Sequence, residues 1–150
     1  MVSKEVLYKF RFIVLILSLI AIDLFSKNLA VINLMYGQTV PTIFPFIDFL
    51  LIYNSGIAFG IFDSDNSLNS QILLLVTLAI SFYLIWMIAS EDILKKKYAL
   101  SIITAGAYGN IIDRAIDNKV TDFLHLEILD FSFFIFNLAD AFITIGACLL

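Results

Sequence analysis

Asp122 and Asp140 stand near the two ends of the stretch VTDFLHLEILDFSFFIFNLAD (120–140), where most other residues are apolar. Two carboxyl groups that meet in a partly dry site cannot both carry a full charge comfortably. They share a proton, and one apparent pKa rises while the other falls. The ionised member can draw a proton from water while the protonated member hydrogen-bonds to a carbonyl. Water then attacks that carbonyl with no covalent intermediate. Other polar residues recur at helical spacing. Asp23 and Lys27 are i, i+4; Asn110, Asp113 and Arg114 are i, i+3, i+4; Asn137 and Asp140 are i, i+3. Each set shares one helix face. Lys27 and Arg114 read as charge partners for carboxylates or loop carbonyls. Asn110 and Asn137 are amides able to donate to one group while accepting from another. Asp113, beside Arg114, fits a brace better than a reacting acid.

Competing chemistries find little support. His125 is the only histidine, and it reads as a surface or interface residue rather than a base. Ser26 and Lys27 are adjacent and point apart on a helix, so they form no serine–lysine pair. No His- or Cys-rich cluster suggests zinc, and no glycine-rich loop resembles a phosphate cradle. Cys148 is a lone small packing residue without a disulfide partner. Carboxylates are also oxygen ligands for metals, but Lys27 and Arg114 balance part of their charge. Paired acids need no cofactor to activate water. Spacing alone leaves three readings open: hydrolysis, transport or ion coupling, and a polar-cored scaffold that binds a partner. The small size and the lack of an inverted repeat weigh against transport.

The elements that must position these residues follow from composition. Of 150 residues, 61% are hydrophobic and 15% charged, with a mean hydropathy of +1.00. A water-facing surface needs more charge than that, so most of this surface meets lipid. No basic stripe suggests nucleic acid. The spans read as 9–32, 69–90, 97–116 and 130–150, each about 20 residues or more, enough to cross ~30 Å of hydrocarbon. The second is almost purely apolar and should be the most lipid-exposed. The first has a basic start like a secretory signal but no clean cleavage site, so it reads as retained. Lys4, Lys9 and Arg11 lie before or at its start, and Lys95, Lys96 and Lys97 lie between span two and the start of span three, whereas 33–68 has no lysine or arginine. That bias puts both termini in the cytoplasm and the other two loops outside. The loop 33–68, with two prolines followed by branched and aromatic residues, predicts a small sheet or strand-and-helix cap on the outer leaflet. Gly56 and Gly60 allow it to bend, and Phe59 and Phe62 could press on lipid or peptide. Counting ~1.5 Å per residue puts Asp23 about 21 Å along span one, Asp113 about 24 Å along span three and Asp140 about 15 Å into span four. With Asp122 on a loop folding back between spans three and four, the carboxylates can share one layer in the outer half of the membrane. The fold class expected is an all-α integral membrane protein of four transmembrane helices with a small extracytoplasmic β-containing subdomain, a single domain over 1–150.

Five motifs resemble those of a known family: DLFSK (23–27), NSGIAFG (54–60), AGAYGNIIDR (105–114), VTDF (120–123) and FNLAD (136–140). In this order, over nearly the whole chain, they are similar to the bacterial lipoprotein signal peptidases, or signal peptidase II. The resemblance implies a membrane aspartic endopeptidase of the bacterial inner membrane, with its active site toward the outer face. It would remove the signal peptide from a prolipoprotein just before a diacylglyceryl-modified cysteine, as a monomer among membrane lipids and without a cofactor. It implies Asp122 and Asp140 as the catalytic pair. Asp23, Lys27, Asn54, Gly56, Asn110, Asp113, Arg114, Asn137 and Ala139 correspond to the family's supporting and substrate-binding positions, and 33–68 to its outer cradle. The chain departs from the family at Ala105, where a glycine is common, at Thr121, where a valine is common, and in stopping at Leu150 without a basic tail.

Overall fold

A computed structural model describes residues 4–56, 67–129 and 131–150. Four helices carry the chain: α1 (Lys4–Asn33), α2 (Ser67–Ser90), α3 (Leu94–Asp117) and α4 (Leu138–Leu149). Between them run four strands: β1 (Thr39–Val40), β2 (Ile47–Asn54), β3 (Val120–Ile128) and β4 (Phe131–Phe136). Two stretches, Tyr8–Asn33 and Gln71–Ser90, are long and apolar enough to cross a membrane. Their outward residues, among them Phe10, Leu17, Phe25, Leu75 and Phe82, are exposed, as a lipid-facing surface should be.

Helix α3 is central and packs against α1, α2 and α4. Its buried side is built from small residues, Ala99, Ser101, Thr104, Ala105, Gly106 and Gly109, around Leu100, Asn110 and Ile111. Small residues let backbones approach without a hydrophobic drive from water. Gly106 shows how tightly: a Cβ there would overlap the Ala139 carbonyl of α4. The buried hydroxyls of α3 are satisfied within the helix, Ser101 donating to the Lys97 carbonyl at 2.7 Å and Thr104 to that of Leu100 at 2.7 Å, so neither is left unpaired in an apolar medium. Near the basic end of α1, Arg11 lies over Tyr8 at 3.9 Å and Phe12 at 4.9 Å and reaches Tyr98 of α3 at 5.6 Å. This cation–aromatic contact ties α1 to α3.

The sheet is antiparallel throughout, in the order β1-β2-β3-β4. It draws its strands from two separate loops. Only β1 and β2 come from 33–68; β3 and β4 come from the connection between α3 and α4. Asn118 ends α3 in the left-handed conformation, φ 58°, and its N–H donates to the Arg114 carbonyl at 3.0 Å, a turn that feeds the chain directly into β3. The β2–β3 register pairs Asn54 with Val120, Ile52 with Asp122 and Asp48 with His125. Leu51 and Phe123 seat the sheet on Ala30 of α1, with Leu34, Leu124 and Leu138 around them.

Three expectations change. The fourth span, read as 130–150, is a strand followed by a 12-residue helix. The aromatic run of β4 is apolar on both faces, so its period of two is invisible in composition. Asn137 then caps α4, making the turn from strand to helix. Second, the connection after α3 that carries Asp122, expected as a loop folding back between spans three and four, is a strand, β3. Third, His125 is not a surface residue: it is 5% exposed, because β3 is an inner strand covered on both edges. Phe59, Gly60 and Phe62, and with them much of the expected clamp, lie outside the described residues.

Candidate active site

The eleven residues that the resemblance implies as catalytic or supporting lie in one connected polar network that joins the helices to the sheet. At its base Asp23, fully buried on α1, accepts from the Ala139 N–H of α4 at 2.8 Å. Lys27, one turn on, lies 2.8 Å from Asp23 Oδ2 and 3.1 Å from Asp113 Oδ2. Its Nζ also donates to Asn110 Oδ1 at 3.1 Å. One cation thus sits between two carboxylates from different helices, an arrangement tolerable in a dry interior only because each charge has a partner. Asp113 Oδ2 further accepts from the Thr121 N–H at 3.0 Å, which fixes the start of β3 on α3.

Above this base two amides distribute hydrogen bonds to the aspartates. Asn110 Nδ2 donates to Asp140 Oδ1 at 2.8 Å. Asn137 Nδ2 donates to Asp122 Oδ1 at 2.6 Å and to Asn110 Oδ1 at 3.2 Å. Asn54 Nδ2, from β2, donates to the other Asp122 oxygen at 3.1 Å. Asn137 and Asp140 also form a capping box at the start of α4. Asn137 Oδ1 accepts from the Asp140 N–H at 3.0 Å, and Asp140 Oδ2 from the Asn137 N–H at 3.3 Å. The box fixes Asp140 by helix geometry rather than by side-chain packing alone. Arg114 Nη2 donates to the Gly56 carbonyl at 3.0 Å, and the Gly56 N–H donates to Asn54 Oδ1 at 3.0 Å. Gly56, just past the end of β2, is thereby tied to α3 and to Asn54.

Asp122 and Asp140 both line a cavity of about 580 Å³, with Asn54, Asn110 and Arg114. Its remaining wall is mostly apolar: Val120, Phe134 to Phe136, Ala141, Ile143 and Ile145. Burial pushes the Asp122 carboxyl up to about 6, the negative charge of Asp140 adds to the rise, and hydrogen bonds from Asn54 and Asn137 together with the Lys27 charge oppose it. The two acids therefore sense each other across the cavity. Chemically, the arrangement offers two coupled carboxyl groups, a polar floor and an apolar wall. Phe134 to Phe136 give this wall a strand component that sequence reasoning does not find, because the FSFFIF run reads as the start of the fourth span.

Residues 15–150 match the model of the family described as Signal peptidase (SPase) II. Among relatives, the chain is 41% identical to the lipoprotein signal peptidase of Pelagibacter ubique over 108 residues, 71% of this chain and 64% of that protein. It is 34% identical to the lipoprotein signal peptidase of Neisseria meningitidis serogroup C over 148 residues, 98% of this chain and 90% of that one. Among solved structures it resembles a bacterial membrane enzyme determined in meso at 2.3 Å, with a TM-score of 0.82, 28% identity and coverage of 93% of this chain and 84% of that one. A second in meso bacterial membrane enzyme, at 1.9 Å, gives a TM-score of 0.81 at 26% identity, covering 93% and 88%.

Proposed function

The chain belongs to the signal peptidase II family, and from that premise we propose that Asp122 and Asp140 are its catalytic pair. It is a membrane-embedded hydrolase, an aspartic peptidase whose substrates are lipoprotein precursors. The transport and scaffold alternatives give way to this reading. The observation that carries the assignment of the pair is the shared cavity: two acids from a strand and a helix open onto one space and are coupled through Asn137 and Asn110.

The proton shared by the pair rests on Asp122, whose carboxyl holds it to about pH 6. Protonated Asp122 donates to the scissile carbonyl, and anionic Asp140 takes a proton from the attacking water. The water oxygen bonds to the carbonyl carbon to give a gem-diol; the C–N bond then breaks as the departing nitrogen takes the proton held by Asp140, and a gem-diol hydroxyl returns one to Asp122 as the carboxylic acid forms. Asn54, Asn110 and Asn137 hold the acids in place. Asp23, Lys27, Asp113 and the Ala139 N–H fix the helices beneath them. Arg114 holds the Gly56 carbonyl at the end of β2.

The substrate cysteine carries diacylglycerol, with the acyl chains along the apolar wall of Phe134, Phe136, Ile143 and Ile145 and the peptide entering from the membrane side. The enzyme lies in the bacterial inner membrane as a single-domain monomer. Both termini are cytoplasmic and the sheet is on the outer face, with 33–68 as its cradle. The end of the sheet formed by Ile43, Phe44, Phe46, Leu129 and Phe131, all exposed, rests in the lipid interface. The test is a gel-shift cleavage assay on a diacylated prolipoprotein. Asp122→Asn should keep the fold and lose about 10²–10⁴-fold or more in rate. A folded Asp122→Asn protein that cleaves at the native rate would retire the assignment.

A further inference from the structure

Strand alternation puts His125 and Glu127 on one face of β3, opposite to Asp122. Asp48 of β2 stands directly across from His125 in the register. One ligand atom from each of these three side chains lies within 4.8 Å of the other two. We propose that Asp48, His125 and Glu127 bind a divalent transition-metal ion of the zinc class, at a site separate from the catalytic pair.

The histidine carries the argument. It is 5% exposed, and its Nδ1 is buried without a hydrogen-bond partner. Nδ1 lies 3.6 Å from Glu127 Oε2. Two ligands bound at about 2.0–2.1 Å in tetrahedral geometry stand roughly 3.3 Å apart, so the ring and the carboxylate need to close by only a few tenths of an ångström. The other ring nitrogen, Nε2, lies 2.7 Å from Ser132 Oγ of β4. An Nε2–H donated to that hydroxyl leaves the Nδ1 lone pair aimed at the carboxylates, the orientation in which outer-shell partners hold metal-binding imidazoles. Asp48 Oδ1 accepts from the Thr42 N–H at 3.2 Å, which steadies the carboxylate and leaves its second oxygen for an ion. Two carboxylates and a neutral imidazole match a divalent charge. A nitrogen in the set favours zinc over magnesium, which prefers oxygen and octahedral geometry. A fourth position would be filled by water. The ion would pin β2 to β3, which come from different loops.

The full-length protein in detergent, stripped of metal, would be titrated with Zn²⁺ alone and separately with Co²⁺. The expected result is one ion per chain, a rise in Tm with Zn²⁺, and the visible absorption of tetrahedral Co²⁺. Glu127→Gln, at a partly exposed position, and His125→Gln should abolish the Co²⁺ signature. Ser132→Ala, which loses only the outer contact, should weaken Zn²⁺ binding by about 10–100-fold. The Asp122→Asn protein should bind as the native one does. No binding, binding unchanged in both ligand variants, or binding lost in Asp122→Asn would each overturn the proposal; the first would leave His125 and Glu127 as a plain ion pair.

Discussion

Asn137 ties both aspartates to the rest of the site: its Nδ2 holds Asp122 and Asn110, and its Oδ1 holds the Asp140 backbone. The proton on Asp122 has a consequence in pH. Burial and the neighbouring charge of Asp140 lift this carboxyl from 3.8 to about 6. On the proposed mechanism Asp122 donates to the substrate carbonyl only while it holds its proton, so that donor is lost as pH rises through about 6. The pH profile of kcat/KM should therefore fall about tenfold per unit above the step, and a rate constant from pH 5 to 8 would contradict it. Folding carries the same sign: the stability this group contributes is full below 3.8, declines up to about 6 and is flat above. At this scale the motifs made the aspartates, lysine and amides legible in sequence. The hydrogen bond from Asn54 to Asp122 was not, because it spans 68 positions and exists only through the β2–β3 register.

Helices α1, α3 and α4 meet where their side chains are smallest or charged, and each contact can be tested. Lys27 links α1 to α3 by facing Asp23 and Asp113 together. Lys27→Met leaves the buried Asp23 and the half-buried Asp113 carboxylates without their cation and should cost about 3–5 kcal/mol in denaturant unfolding in detergent. A Cβ on Gly109 would overlap the Asp23 carboxylate and come within 3.1 Å of the Ala139 Cβ. Gly109→Ala should lower stability by about 1–3 kcal/mol, visible as a lower Tm, and an unchanged Tm would show that α1 can yield there. The first three helices were legible almost to their ends, since long apolar runs over 69–90 or around the Asp23 face allow few other structures in lipid. Strand β4 and the late start of α4 were not. Phe131, Phe133 and Phe134 are exposed, on both faces of their strand, so no polar alternation marks the strand. The buried place of His125 was hidden for a related reason: nothing local to HLE indicates that β2 and β4 flank it.

The whole molecule joins two outer loops into one sheet, sets that sheet on α1 through Leu51 and Phe123, and opens its cavity along the apolar face of α4. The four-helix membrane class was readable from composition. That the sheet draws on both loops was not, because strand pairing between segments as distant as Ile47 and Leu126 leaves no local trace. The cavity wall of Phe134, Phe136, Ile143 and Ile145 has a kinetic consequence. A substrate that keeps its fatty tail in the bilayer meets this enzyme by diffusing in two dimensions. Turnover should then follow mole fraction in the vesicle rather than molarity in the tube. Added inert phospholipid, mixed into the same vesicles at fixed enzyme and substrate, should slow cleavage by surface dilution. Diluting the whole suspension with buffer should leave the rate per enzyme unchanged.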